Sequence, residues 1–513
     1  MLPSAQAALP PAPTPIDRTD NGDWPPPAQT SPATSCSTAL KGSHATYNVG
    51  PGQTYTELTD VPWLRLQAGD VVNIHYRSAP YRTKFGLRAQ GTARDPIVIN
   101  GVTDSTCKRP EISGANATTA ADAQASGFGQ AIEAMGLIQI YRLPTDPWDT
   151  YTPDHITIQN LKLTGARRDH TFTNQAGDVT RYDSFSAAIY AVRVHHLTVE
   201  NCEITGNGLG VFTNTKGSTP QDYSAHVIIR RNVIHFNGNP DRQTEHNLYV
   251  QARRALYEGN FIGQAYGGSS LKDRSSGTVI RYNKILASAR ALDLVETEEE
   301  NHPVLQQDPL YPHAWVYGNI IINDHKAPAG YAVNLIHWAF DNTQARSRTG
   351  TLFFYANTLV NKLPQATFWY FSPFQIGHDG LADPGSRIEA SSNIFWQQSD
   401  TEWRFLSDKA GSLQFRGRNY VPRNWYPTTP GKKANVQTGG ATLLTGQAPL
   451  LDANLVPRAG SPVLDQGGVG PSFTPAGATA AHLLVTHQYR EGAGMALRPV
   501  TGSALDLGAL ERP

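Results

Sequence analysis

Nine times between residues 156 and 420 the chain returns to one short phrase, in which apolar and polar residues alternate and an asparagine follows. It begins at Ile156-Thr-Ile-Gln-Asn160, Leu197-Thr-Val-Glu-Asn201 and Val227-Ile-Ile-Arg-Arg-Asn232, and closes at Ile388-Glu-Ala-Ser-Ser-Asn393 and Phe415-Arg-Gly-Arg-Asn419. Asn260, Asn283, Asn319 and Asn357 stand between, and successive members lie 41, 31, 28, 23, 36, 38, 36 and 26 residues apart. A unit recurring at such a period marks a stacked architecture. Period-2 alternation in segments rich in Val, Ile, Thr and Tyr specifies strands. No helical stripe runs through residues 150–425, which excludes helical solenoids. Propeller blades need about 40 or more residues, more than the short intervals offer. The shortest interval fits one turn of a coil of three short parallel strands, and the longer ones fit the same coil with an inserted loop. Strands so stacked lie about 4.8 Å apart. Asparagine suits the corners: it tolerates left-handed backbone, and its amide can bond the amides above and below.

These phrases resemble those of the right-handed parallel β-helix proteins of the pectate-lyase-like superfamily. Tyr47-Asn-Val-Gly-Pro-Gly-Gln-Thr-Tyr55 and Leu66-Gln-Ala-Gly-Asp-Val-Val-Asn-Ile74 are similar to the opening of many secreted members. Gly460-Ser-Pro-Val-Leu-Asp-Gln-Gly467 and Leu505-Asp-Leu-Gly-Ala-Leu-Glu511 look like their usual ending. The resemblance spans roughly residues 44–511. It implies an all-β chain, a right-handed parallel β-helix with an N-terminal cap and an irregular C-terminal segment, in an exported protein.

Residues 1–43 are rich in Pro, Ala and Thr and read as a tail or linker. Residues 44–425 read as the β-helix, with a cap over 44–95 and a loop excursion over 115–150, and residues 426–513 as a segment packed on it. A coiled stack absorbs all 513 residues along one axis. The 45 Gly and 36 Pro suit a turn at every coil. Lys plus Arg equals Asp plus Glu at 43 each, so net charge argues for neither nucleic acid nor a membrane surface. No apolar run reaches membrane-spanning length, and a monomer is expected. The opening residues lack a signal-peptide pattern, so the expectation is a secreted or periplasmic protein whose signal peptide has been removed. The three cysteines leave two arrangements open: a Cys36–Cys107 bridge with Cys202 buried in a coil, or three free thiols. No Cys/His spacing resembles a zinc site.

A coil interior is filled with side chains, so reactive groups must project outward. Aligning the strands of consecutive coils gives His246-Asn-Leu-Tyr-Val250, Ser270-Leu-Lys-Asp-Arg274 and Ala291-Leu-Asp-Leu-Val295. Turning Leu248, Leu271 and Leu292 inward stacks Tyr249, Lys272 and Asp293 on the outside, with Asn334 to His337 in the next coil. Lys272, Arg274, His246, Tyr249 and Asp293 are the expected catalytic residues, and Glu245, Asn247, Arg253, Asn334, His337 and Trp338 the expected substrate contacts. Ten basic residues stand against five acidic ones from Asp222 to Arg290, and five acidic residues follow between Asp293 and Glu300. That pattern favours an acidic polysaccharide.

The chemistry that fits is β-elimination at a uronate, which needs a base for the C5 proton, cations for the carboxylate and an acid for the leaving oxygen. The expected division of labour is Lys272 as base, Arg274 as carboxylate clamp, and Tyr249 or His246 as acid. Leu271-Lys-Asp-Arg-Ser is similar to the Lys-Ser segment of β-helical alginate and related lyases, which implies Lys272 as base and Arg274 as acid. It departs from that pattern at Asp273, where those lyases carry Ser, and at Asp293, which stands where an Arg is expected one coil later. Several β-helical lyases bridge protein and uronate with Ca2+, and Asp293 with Glu296 is the pair expected to hold such an ion. Other readings stay open. A glycoside hydrolase would pair Asp293 with Glu296, Glu245 or Asp273, and a C5-epimerase would use the same groups as the lyase. A non-catalytic carbohydrate-binding adhesin would show even repeats without a local reactive cluster. Lys272 and Arg274 pairing with Asp273 at a turn, a structural His246 and a packing Tyr249 are the structural alternatives.

Overall fold

The computed structural model describes residues 24–25, 36–147, 151–214, 223–298, 303–328, 334–365, 370–378, 385–407, 410–429 and 435–513, with positions 367, 381 and 383. Among these residues the strands form three long sheets of 13, 14 and 11 strands and one two-stranded hairpin. Each coil contributes one strand to each long sheet in turn. Arg253–Glu258 belongs to the 13-stranded ladder sheet, Phe261–Ile262 to the 11-stranded short sheet and Leu271–Asp273 to the 14-stranded groove sheet. The chain then re-enters the ladder sheet at Ser276–Arg281, parallel to Arg253–Glu258. This is a parallel β-helix. Parallel strand–crossover–strand connections are right-handed in nearly all proteins, the hand the sequence phrases imply.

One apolar core runs through the coils from Val49 to Val421. It is filled by aligned rows such as Leu248, Leu271, Leu292 and Ile336, which stack in register from coil to coil. The recurring asparagines divide into two kinds. Asn232, Asn260, Asn283, Asn319, Asn357, Asn393 and Asn419 form a buried ladder, each Nδ2 donating to the next Oδ1 at 2.9–3.3 Å. In most of these coils the left-handed backbone belongs to the preceding residue, as at Arg231, Gly259, Tyr282, Gly318, Ala356 and Ser392. Asn160 and Asn201 are themselves left-handed, with φ of 62° and 49°, and lie one residue ahead of the ladder. Strand register proves it: Glu200 pairs with Arg230, so Asn201 corresponds to Arg231 and Cys202 to Asn232.

The ends of the fold refine the expected boundaries. The cap is itself built of coil, since Thr46–Val49 pairs in parallel with Val71–His75, and the short turns Leu58–Asp60 and Trp63–Arg65 bury Leu58, Trp63 and Leu64 beneath it. The segment read as a loop excursion contains Gly136–Ile140, a strand of the groove sheet. Coils continue beyond residue 425 to Val436–Gln437 and Thr442–Leu444. Cys36 and Cys107 form a disulfide and Cys202 is a buried thiol. Most of the expected tail, residues 1–23 and 26–35, lies outside the described residues, but Trp24 is buried and packs edge-on against Trp315 at 5.1 Å. The C-terminal segment is fastened to the ladder sheet by the hydroxyls of Tyr282, Tyr317 and Tyr355, which donate to the carbonyls of Leu484, His482 and Leu483. No helix among the described residues is long and apolar enough to cross a membrane.

Candidate functional site

Three-residue strands explain how the groove is lined. In Leu248–Val250, Leu271–Asp273 and Leu292–Leu294 the two ends point inward and the centre points out, because side chains alternate along a strand. Tyr249, Lys272 and Asp293 therefore pair directly from coil to coil, and Asp293 pairs with His337 in the next. The outward row is the one expected. Tyr249, Lys272 and Asp293 line a cleft of about 570 Å3 together with His246, Arg274, Arg290, Asn334 and Asp341, whereas His337, expected as a substrate contact, is buried and is not part of that lining.

Ion pairs dominate its floor. Lys272 Nζ donates to Asp293 Oδ2 and to Asp341 Oδ2, both at 2.6 Å. Arg274 Nη2 reaches both oxygens of Asp341 at 2.9 and 3.0 Å, its Nε donates to the Tyr249 hydroxyl at 3.1 Å, and the same Nε lies 2.9 Å from Glu298. His337 bridges Asp293 Oδ1 and the Gly377 carbonyl. Burial alone would push the Asp293 carboxyl up, but Lys272 and His337 outweigh it and hold the group well below the usual range. Asp341 is likewise held low, burial being outweighed by Lys272 and Arg274. Both carboxylates are therefore ionised at neutral pH. Arg290 borders Asp293 and leaves its Nη1 with no hydrogen-bond partner among the described residues.

His246 occupies a different electrostatic niche. Its Nδ1 accepts the Ser269 N–H at 2.7 Å, so in the neutral ring the proton sits on Nε2. A Cβ on Gly268 would stand 2.3 Å from that Nδ1, so the glycine is what admits the contact. Burial, reinforced by Lys272, drives the imidazole down to about 3. A ring of this kind donates a hydrogen bond; it does not deliver protons.

Several expected contacts lie elsewhere. Trp338 is fully buried and points inward in the row of Val250, Asp273 and Leu294, because it follows the outward His337 by one residue. Asn247 belongs to a second corner ladder, accepting from Asn237 and donating to the Gly263 carbonyl, which uses up its amide inside the wall. Arg253 opens a strand of the ladder sheet and is held by Asp308 at 2.6 Å, away from the cleft. Glu245 is buried, accepting from Asn239 and from the Phe185 N–H. Asn334 lines the cleft, with its amide donating to Gln375.

The expected Ca2+ pair does not fit an ion. Asp293 spends one oxygen on Lys272 and the other on His337, and Glu296 accepts the backbone N–H groups of Asp341, Asn342 and Thr343 at 2.7–2.8 Å. Burial and the charge of Asp341 push Glu296 up. Its work is to pin the loop that carries Asp341. Asp273 faces the core, accepting from Tyr257 and Thr278 beside the buried Arg348, so it neither pairs with Lys272 nor serves as a cleft carboxylate. Asp341 and Arg290 were not foreseen. Asp341 sits 69 residues from Lys272, in a loop after the strand Asn334–Trp338, and no local pattern marks it.

No protein-family model matches the chain, and no curated protein sequence does. Solved structures similar to it include pectate lyase Pel9A, at 10% identity and TM-score 0.45, with 94% of this chain and 98% of that one covered. An alginate lyase from Paenibacillus sp. str. FPU-7 aligns at 14% identity and TM-score 0.35, covering 73% and 93% of the two chains. The GH136 lacto-N-biosidase from Eubacterium ramulus gives 9%, 0.34, 78% and 68%. Likeness this distant concerns the fold, and the fold rests on the strand pairing itself.

Proposed function

We propose that the protein is a polysaccharide lyase that cleaves a uronate-containing glycan by β-elimination, acting outside the cytoplasm. The observation that carries this reading is the convergence of Lys272, Arg274 and Arg290 with the Tyr249 hydroxyl on one wall of the cleft. Three cations suit a carboxylate whose charge grows as the C5 proton leaves. Arg274 Nε donates to the Tyr249 oxygen and Lys272 Nζ lies 6.0 Å from the ring centroid, so this oxygen faces the cleft as an acceptor between two cations. Lys272 Nζ donates to two carboxylates at 2.6 Å and so stands in the cleft as a hydrogen-bond donor. The proposal therefore exchanges the expected roles: Tyr249 takes the C5 proton and Lys272 protonates the leaving oxygen. His246 Nε2–H and Arg290 hold the carboxylate, which displaces Asp341 from Arg274. The disulfide fits an oxidising compartment.

Hydrolysis is the second reading, because Asp293 and Asp341 share one ammonium and lie within retaining-enzyme reach. It is disfavoured because both are held ionised, whereas hydrolysis needs one protonated acid.

Incubation with acidic polysaccharides should raise ultraviolet absorbance as a double bond forms next to the uronate carboxylate. New reducing ends without that absorbance would establish hydrolysis instead. Tyr249→Phe and Lys272→Ala should each lower kcat about 10²–10⁴-fold. A substrate whose leaving group needs no proton should restore Lys272→Ala but not Tyr249→Phe. The opposite pattern would return the base role to Lys272.

A further inference from the structure

The row that carries Lys272 extends well beyond the ionic cluster. Tyr190 pairs with Phe212, Phe212 with Tyr249, and Tyr249 with Lys272, so one outward line runs through four coils before reaching Asp293 and His337. Its first half is aromatic. The Tyr190 and Phe212 rings stack at 4.6 Å and 19°, and Phe212 meets Tyr249 edge-on at 5.4 Å. With Met135 and Phe185 these rings line a second cavity of about 340 Å3, which shares Phe185, Tyr249 and Glu298 with the ionic cleft. Among its described lining residues there is no Lys or Arg, and its one charge, Glu298, is held by Arg274. Phe185, Phe212 and Tyr249 are only partly buried. Apolar sheet faces left open in this way mark interaction sites.

We infer that the aromatic strip is a subsite for uncharged sugars of the same polymer whose uronate lies at Lys272, Arg274 and Arg290. The substrate is then a heteropolysaccharide, with neutral residues flanking the acidic one on the Tyr190 side, and not a uronate homopolymer. This deepens the proposed function and rests on its placement of the uronate. The physical reason is charge. A pyranose presents a C–H face that packs on an aromatic ring. A carboxylate there would be desolvated over the negative face of the rings with no cation among the described lining residues to receive it. The two halves of the row thus sort acidic from neutral residues at about one coil spacing of resolution.

Calorimetric binding to the full chain separates the possibilities, using polygalacturonate against a backbone of alternating galacturonate and rhamnose. The alternating polymer should bind at least about tenfold more tightly. Phe212→Ala should weaken it about three- to tenfold, the worth of one aromatic contact, and leave polygalacturonate unchanged, while Phe212→Tyr restores it. Equal affinity for the two polymers, or a Phe212→Ala loss shared by both, overturns the inference. If the alternating polymer binds with this Phe212 dependence and no double bond forms, the lyase reaction fails while the subsite stands. If Arg290→Ala leaves binding of both polymers untouched, the uronate placement fails and takes the subsite with it.

Discussion

His246 shows how one side chain reports on the charge around it. Lys272 and Arg274 oppose its protonation, burial opposes it more, and the partial help of Asp293 and Asp341 does not compensate. Its folded value of about 3 lies below the ordinary 6.5, so the unfolded chain binds the extra proton between those limits. The stability contributed by the neutral ring is complete above about 6.5 and is lost as pH falls toward 3. His246→Gln keeps an acceptor for the Ser269 N–H and has no proton to gain. Thermal midpoints between about pH 7 and pH 4 should therefore fall more steeply for the wild type than for the variant. Parallel curves would show that the ring is not held neutral. Asp341 makes the complementary point. It bonds Lys272 and Arg274 in the cleft, where the proposed lyase would seat a substrate carboxylate, yet nothing near it in the chain distinguishes it from any polar loop residue.

A corner of the coil is an element with its own energetics. Asn319 accepts from Asn283 and donates to Asn357 and to the carbonyls of Ile280 and Tyr317. Asn319→Ala leaves buried partners on three coils unsatisfied, which should cost about 2–3 kcal/mol. Asn160→Ala, which loses two part-buried amide bonds, to Asn100 and from Asn201, should cost less, about 1–2 kcal/mol. Urea unfolding of the two variants measures the difference, and equal losses would dissolve the distinction between ladder and corner. The phrase was legible because a buried amide is useful only when repeated. That two of its nine members make their amide-to-amide bonds one residue away, Asn201 to Asn160 and Asn160 to Asn100, was not legible. A shift of one residue changes the hydrogen bonds without altering the alternation around it.

At the scale of the whole molecule, stability differs along the axis. The Cys36–Cys107 bridge spans 71 residues and ties the segment before the cap to its rim, where Ser37 N–H meets Thr103 and Leu40 N–H meets Asn73. Chain-entropy reasoning gives such a loop about 4 kcal/mol at most. Reduction should thus lower the denaturation midpoint through the cap, while activity per folded molecule is preserved, since the cleft lies several coils away. A loss of activity in reductant without unfolding would show that cap and cleft are coupled.

The alternation and its period by themselves determined the three-sheet coil, its one continuous core, and the outward row of Tyr249, Lys272 and Asp293. Each of these follows from side-chain direction along a strand, which is local and additive. Only the tertiary structure decided which groups meet that row. Asp341 and Arg290 arrive on loops, Trp338 turns inward by one residue, and Glu296 is spent on pinning a backbone segment. The reason is that charges act through space over a few ångströms. A loop of arbitrary sequence length can deliver them, and no periodicity records where it will land.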